Sequence, residues 1–268
     1  MAMEDAVRES GAVPATIAVL AGRITVGLTR EQIEDLAHRP FNTVRKCSRR
    51  DLPIVVARGE DGATTVAGTM IVAHRAGIRV FGTGGIGGVH RGAPFDVSAD
   101  LIELGRTPIA VVCAGPKAIL DLPLTLEALE THGVPVIGLG TDTLPGFYIR
   151  SSGLPIDVRV ESPREAAAII AAAERIDAGH GVLVVVPVPE SEASGSDVDA
   201  AIDRAISDAD AQGIRGKALT PFLLKRVSEL SGGASQRTNQ ALLVHNARTA
   251  GLIAHELSTI VAASPVKG

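Results

Sequence analysis

The sequence predicts an α/β protein, with helices layered over a sheet that has much parallel pairing. Three observations carry that prediction. Apolar runs of strand length recur along the chain, helical patterns alternate with them, and the runs are continuous rather than alternating, as in strands covered on both faces. The strand candidates are ATIAVL at 15–20, LPIVVA at 52–57, IRVFG at 78–82, PIAVVCA at 108–114, VPVIGLG at 134–140 and GVLVVVPVP at 181–189. Helical patterns occupy 29–38, 64–77, 98–105 and 116–133, and ESEASGSDV at 190–198 reads as a loop before a helix beginning near Asp199. The last third is mostly helical. No internal repeat and no long linker interrupts the chain, so residues 1–268 are expected to form one domain.

Composition narrows the function. At 268 residues the chain is long enough to bury a large core. Aromatic residues make up only 2%, with no Trp and one Tyr, so Val, Ile, Leu and Ala must build that core. Few stacking rings and a net charge of −4 argue against nucleic-acid binding, which needs a basic face. Two cysteines, Cys47 and Cys113, supply neither a disulfide framework nor a structural zinc site. No run of 18 apolar residues and no charged-then-apolar leader pattern is present, so a cytoplasmic protein without a membrane role is expected.

The stretch 77–101, GIRVFGTGGIGGVHRGAPFDVSADL, raises the first functional question. Gly82, Gly84 and Gly87 spell G-x-G-x-x-G after a strand. A dinucleotide-binding turn needs its third glycine to open a helix, but the next helix start is Ser98, and Glu103 lies inside that helix. The dinucleotide reading fails on context. Glycines at 82, 84, 85, 87 and 88 instead allow positive φ and close approach, so their N–H groups would line an anion nest, or simply form a tight strand exit. His90 and Arg91 follow with cationic or proton-transfer groups. Asp96, Ser98 and Asp100 then alternate, which on an extended segment places two carboxylates and a hydroxyl on one side. That set suits Mg²⁺ or Mn²⁺. The alternative is that Ser98 caps a helix with acidic help.

Lys117 is the second candidate. With Gly115 as a turn and Pro116 at the first helical position, Lys117 falls in the first turn of a helix, where dipole and burial both disfavour its charge. A neutral lysine attacks a carbonyl carbon to give a Schiff base. An ion pair with Asp121 is the plainer reading. A third cluster, Arg45, Lys46, Ser48, Arg49 and Arg50, would clamp one phosphate or form ion pairs with Asp51.

The blocks GAVPATIAVLAG, KCSRRDLP, GATTVAGT, FGTGGIGGVHRGA, FDVSADLIEL, VVCAGPKAILDLPLTLEALETHGVPVIG and GKALTPFLL, in order from about Val7 to the C-terminal helices, resemble the indigoidine synthase A-like family of pseudouridine-5′-phosphate glycosidases. The resemblance implies a three-layer α/β/α sandwich, a homotrimer and a divalent metal, typically Mn²⁺. It implies reversible cleavage of the C–C bond between uracil and ribose 5-phosphate. Carbon is a poor leaving atom, and an amine joined to C1′ can drive it off by lending its lone pair to form an iminium while an acid protonates the uracil at C5. By resemblance, Lys117 is the nucleophile, Asp96 the metal ligand, and Ser98, Ala99 and Asp100 a substrate-contacting segment in which Asp100 tunes the lysine. Lys46 and Val66 match further substrate contacts, and His90 another. Departures also follow from it. The family carries an L-E-S-T strand whose glutamate donates the proton, and this chain opens at MAMEDAVRES, past that point, with Glu4 and Glu9 in the following helix. Val186 stands where relatives have a polar residue and Leu139 where Tyr is commoner. Two alternatives stay open: a glycosidase for another C-nucleoside phosphate, and a relative that binds a sugar phosphate without catalysis.

Overall fold

A computed structural model describes residues 1–193, 196–214 and 219–263. Two stretches singled out in the sequence lie partly outside these: Ser194 and Gly195 of the 190–198 loop, and 216–218 of the GKALTPFLL block.

The chain begins with α1 (Ala2–Glu9), then builds a small mixed sheet from β1 (Ile17–Leu20), β2 (Arg23–Val26), β3 (Val44–Cys47) and β4 (Asp61–Thr64). Its order is β2-β1-β4-β3, antiparallel except for the β3–β4 pair. Helix α2 (Arg30–His38) starts on a capping box between Thr29 and Gln32. Helix α3 (Leu52–Arg58) corrects the strand expected at 52–57. Leu52 and Val55 are buried while Ile54 and Val56 are 40% and 43% exposed, which is helical spacing. The Pro53 nitrogen falls in the first turn, where no hydrogen bond is required of it, and Gly59 closes the helix at φ +65°. Beside β4 the partner strand is β3 instead.

From α4 (Val66–Arg75) the fold turns to α/β alternation: β5 (Val80–Gly82), β6 (Val89–His90), β7 (Ala93–Val97), α5 (Ala99–Leu104), β8 (Ala110–Cys113), β9 (Leu120–Asp121), α6 (Leu122–Thr131), β10 (Val136–Leu139) and β11 (Val158–Val160). Then follow α7 (Pro163–Arg175), β12 (Val182–Val185), α8 (Ser196–Ala211), α9 (Leu219–Leu230) and α10 (Ala234–Ala263). Strands β11-β10-β12-β8-β5 form an all-parallel sheet, and β7-β6-β9 a small antiparallel one.

The parallel sheet is the middle of three layers, as expected. Val111, Cys113, Leu183 and Val185 face one side, against Met70, Leu101, Leu104 and Leu129 of α4, α5 and α6. Their neighbours Ala110, Val112, Val182 and Val184 face the other, against Ile170 of α7 and Ile253 and Leu257 of α10. Residues of period two thus bury both faces, which is why the runs read as continuously apolar. A further cluster joins Ile119 and Leu120, just past the end of β8, to Phe147 and to Ile202, Leu223 and Leu242 of the last helices. It closes the carboxyl end of the sheet, the edge where open parallel sheets hold ligands.

Candidate active site

Lys117 stands at that edge, but not in a helix. The helix expected from 116 begins at Leu122, so this expectation is corrected. Pro116 bridges to Ile86, and Lys117 N donates to Ile86 O at 3.1 Å, so the chain stays extended beside the glycine loop. A turn closed by Leu120 N on Lys117 O (2.9 Å) leads into β9. The proline that opens the helix is Pro123, and Asp121 is its cap, accepting from Leu124 N at 3.0 Å, not the partner of Lys117. Gly115 does turn the chain, at φ +84°.

The glycine loop is built for close packing. None of Gly82, Gly84, Gly85, Gly87 and Gly88 has positive φ, so the expected conformational role is corrected. A Cβ on Gly85 would sit 2.6 Å from the Phe147 ring, one on Gly87 would collide with Ser98 Oγ, and one on Gly88 with Thr125. The loop's N–H groups are in part already committed: Gly87 N donates to Asp100 Oδ2 (2.9 Å), Val89 N to Thr125 Oγ1 (3.0 Å) and Ile86 N to Gly115 O (3.2 Å).

The 96–100 segment changes conformation midway, so its three side chains do not share one extended face. Strand β7 ends at Val97, Ser98 caps α5 by accepting from Asp100 N (3.3 Å), and Asp100 lies in the first helical turn. Asp100 is buried, with one oxygen on Ala67 N and the other on Gly87 N, each at 2.9 Å. Its carboxylate therefore ties the start of α4, beside buried Val66, to the glycine loop. Ala99 is exposed at the first helical position. Asp96 is half-buried on β7, and no hydrogen bond holds its carboxylate among the described residues.

The basic cluster at 45–50 is mostly spoken for. Arg45 pairs with Glu60 at 2.7 Å, Arg49 makes a two-pronged contact with Glu103 at 2.8 and 2.5 Å, and Ser48 donates to Asp51 at 2.9 Å. Glu103, fully buried, also takes Arg106 and Thr107. Burial pushes its pKa up, but these partners outweigh it and hold it below the usual range. Lys46 stands apart, exposed on β3.

Electrostatics join what the loops assemble. Burial lowers the pKa of Lys117, Asp100 pushes back up, and the Lys46 charge lowers it further. Burial likewise lowers His90, opposed by Asp96 and assisted by Lys117 and Lys46. Lys117 thus feels Asp100 and Lys46, and His90 feels Asp96, Lys117 and Lys46. Cys113, on the strand below, is pushed by burial to about 12, which keeps it a thiol and out of nucleophilic chemistry.

Sequence reasoning passed over three contributors. Phe147, buried at φ +63°, is a bulky residue in a left-handed conformation; its ring lies on the glycine loop and its N–H donates to Ala114 O at 2.8 Å. Such a conformation costs roughly 1–3 kcal/mol and persists only where packing enforces it. Thr125 props the loop from α6. Asn246 of α10 donates to Thr83 O (2.9 Å) and Gly84 O (3.2 Å), leaving its Oδ1 without a partner among the described residues. All three act across long sequence separations, and only the crowding of glycines hinted that something must press close.

The profile of the family described as Indigoidine synthase A like protein matches residues 1–256. The chain belongs to that family. It is 52% identical over 97% of its length to a pseudouridine-5′-phosphate glycosidase of Caldanaerobacter subterraneus subsp. tengcongensis, covering 85% of that protein. To the enzyme of the same name from Methylobacterium nodulans it is 54% identical, over 98% of this chain and 78% of that one. Among solved structures, the prealnumycin C-glycosynthase AlnA in complex with ribulose 5-phosphate superposes with a TM-score of 0.91 at 42% identity, covering 98% of this chain and 87% of the other. An indigoidine synthase A-like protein of Thermotoga maritima superposes with a TM-score of 0.88 at 36% identity, over 96% and 85%. The three-layer fold and the family resemblance read in the sequence are both found. Among the described residues no helix is long and apolar enough to cross a membrane.

Proposed function

We propose that this protein is a pseudouridine-5′-phosphate glycosidase, reversibly converting its substrate to uracil and ribose 5-phosphate. The observation that carries the reading is a half-buried lysine at the carboxyl edge of the sheet, its pKa lowered by desolvation, in a chain 52–54% identical to enzymes of that name.

Lys117 is the nucleophile. Its amine bonds to C1′ as the ring oxygen leaves C1′ and takes up a proton, opening the ribose. The nitrogen lone pair then forms the C1′ iminium as the C1′–C5 bond breaks, its electron pair going to C5, where an acid delivers a proton. Water hydrolyses the iminium, releasing ribose 5-phosphate and the free amine. Asp100 holds the start of α4 against the glycine loop and, as a nearby carboxylate, offsets part of the desolvation that lowers the lysine's pKa. Lys46, whose exposed ammonium has no carboxylate partner among the described residues, takes the phosphate or ribose, with Val66, Ser98, Ala99 and His90 as further substrate contacts. No group of three His, Cys, Asp or Glu side chains converges among the described residues, but one free carboxylate completed by water suits Mn²⁺ or Mg²⁺, so Asp96 fits such an ion. Bound there, the ion would neutralise substrate oxygens. The working form is a cytoplasmic homotrimer; Phe95, wholly exposed on β7 next to Asp96, supports a buried role for that arm in an assembly.

A second reading, a glycosidase or C-glycosynthase acting on a ring other than uracil, is favoured by the likeness to the prealnumycin enzyme. One experiment separates them: incubation with pseudouridine 5′-phosphate and Mn²⁺, reading uracil and ribose 5-phosphate by chromatography. Equimolar release that vanishes in Lys117→Ala is expected. No release, or release untouched by the substitution, overturns the reading.

A further inference from the structure

Arg91, conspicuous in the sequence beside His90, has no task in the reaction above. It lies in the turn between β6 and β7, next to Gly92 at φ +69°. Its guanidinium is not spent on a buried acid. Nε donates to Leu120 O at 3.0 Å and Nη2 to Ala118 O at 2.8 Å, while Nη1 alone reaches a carboxylate, that of exposed Asp203 on α8, at 3.2 Å. Both carbonyls belong to the turn that begins at Lys117.

Core packing of Ala118, Ile119 and Leu120 and the pairing of Leu120 with His90 hold the floor of that turn, but neither sets the direction of its carbonyls as the guanidinium does. At its start Lys117 N is tied to Ile86 O, and its own closing bond runs from Leu120 N to Lys117 O. The carbonyls of Ala118 and Leu120 belong to buried residues and need donors, because an unpaired buried acceptor costs roughly 1–3 kcal/mol. A planar guanidinium presents two donors in fixed geometry to two acceptors; an ammonium on a flexible stem does not. The pair with Asp203 is a surface contact of little energetic weight.

We propose that Arg91 is a positioning residue: by gripping the carbonyls of Ala118 and Leu120 it fixes the turn, and so aims the Lys117 amine at the sugar C1′. This rests on the reading of Lys117 as nucleophile. A displacement of an ångström at a reacting atom is enough to cost about a hundredfold in rate, so a loosened turn is felt in the chemical step more than in binding.

The test compares wild type, Arg91→Lys, Arg91→Ala and Lys117→Ala. Two rates are read per folded molecule: cleavage of pseudouridine 5′-phosphate, and borohydride trapping of the adduct with ribose 5-phosphate, followed by mass spectrometry. Arg91→Lys keeps the charge and loses the fork. It is expected to lower kcat and the trapping rate by about tenfold or more, with KM changed by no more than about threefold and the pH midpoint of trapping unmoved. If Arg91→Lys does not fold, Arg91→Ala with millimolar guanidinium takes its place, and recovery by guanidinium but not by ethylammonium supports the proposal. Trapping at the wild-type rate per folded molecule in the lysine variant overturns it, as does absence of any guanidinium rescue. Failure of wild type itself to give an adduct on Lys117 overturns the nucleophile reading instead, and the two failures are distinct.

Discussion

Two lysines approach the site from two different sheets, and their surroundings are opposite. Lys46 stands exposed on β3, at the edge of the small mixed sheet, among arginines whose charges are taken by Glu60 and Glu103. Lys117 lies in a turn at the end of β8, in the parallel sheet, with buried residues on both sides and its backbone bonded to the glycine loop. The first stands open to solvent, where a phosphate can reach it. Desolvation lowers the pKa of the second, which favours the neutral amine that attacks carbon. On the proposed mechanism, surroundings and not residue type divide the two roles.

The larger expected effect in this comparison is on substrate affinity. Lys46→Ala removes a charge-assisted contact and should raise KM by roughly 10–100-fold while lowering kcat much less, as steady-state kinetics will show. A fall in kcat at unchanged KM would place Lys46 in the chemistry and break the division. The smaller effect is on stability. The folded-state pKa of Lys117 lies below its unfolded value, so between the two the unfolded chain binds more protons and stability rises with pH. Lys117→Met escapes this cost. Its Tm should exceed that of wild type at pH 7, and the gap should narrow as pH rises toward 10. A gap constant over that range would mean that burial does not depress the lysine.

The sequence made the parallel sheet plain, because VVC of β8 and VLVV of β12 are apolar at every position, as only doubly covered strands are. It misled where a β-branched run met a proline: LPIVVA folds as α3, since only Leu52 and Val55 find a core. It misled again at Pro116, because a later proline, Pro123, backed by Asp121 as cap, made the better helix start. The site's residue types were legible, and its wiring was not. That Asp100 would spend both oxygens on backbone N–H groups, or Arg49 reach Glu103 across 54 residues, depends on contacts that no local pattern encodes.

The division between the lysines comes to one measurement: peptide mapping after borohydride treatment of the wild-type chain with ribose 5-phosphate. The account predicts a reduced pentose-phosphate adduct on Lys117 and none on Lys46. An adduct on Lys46, or cleavage of pseudouridine 5′-phosphate with no lysine adduct at all, would contradict it.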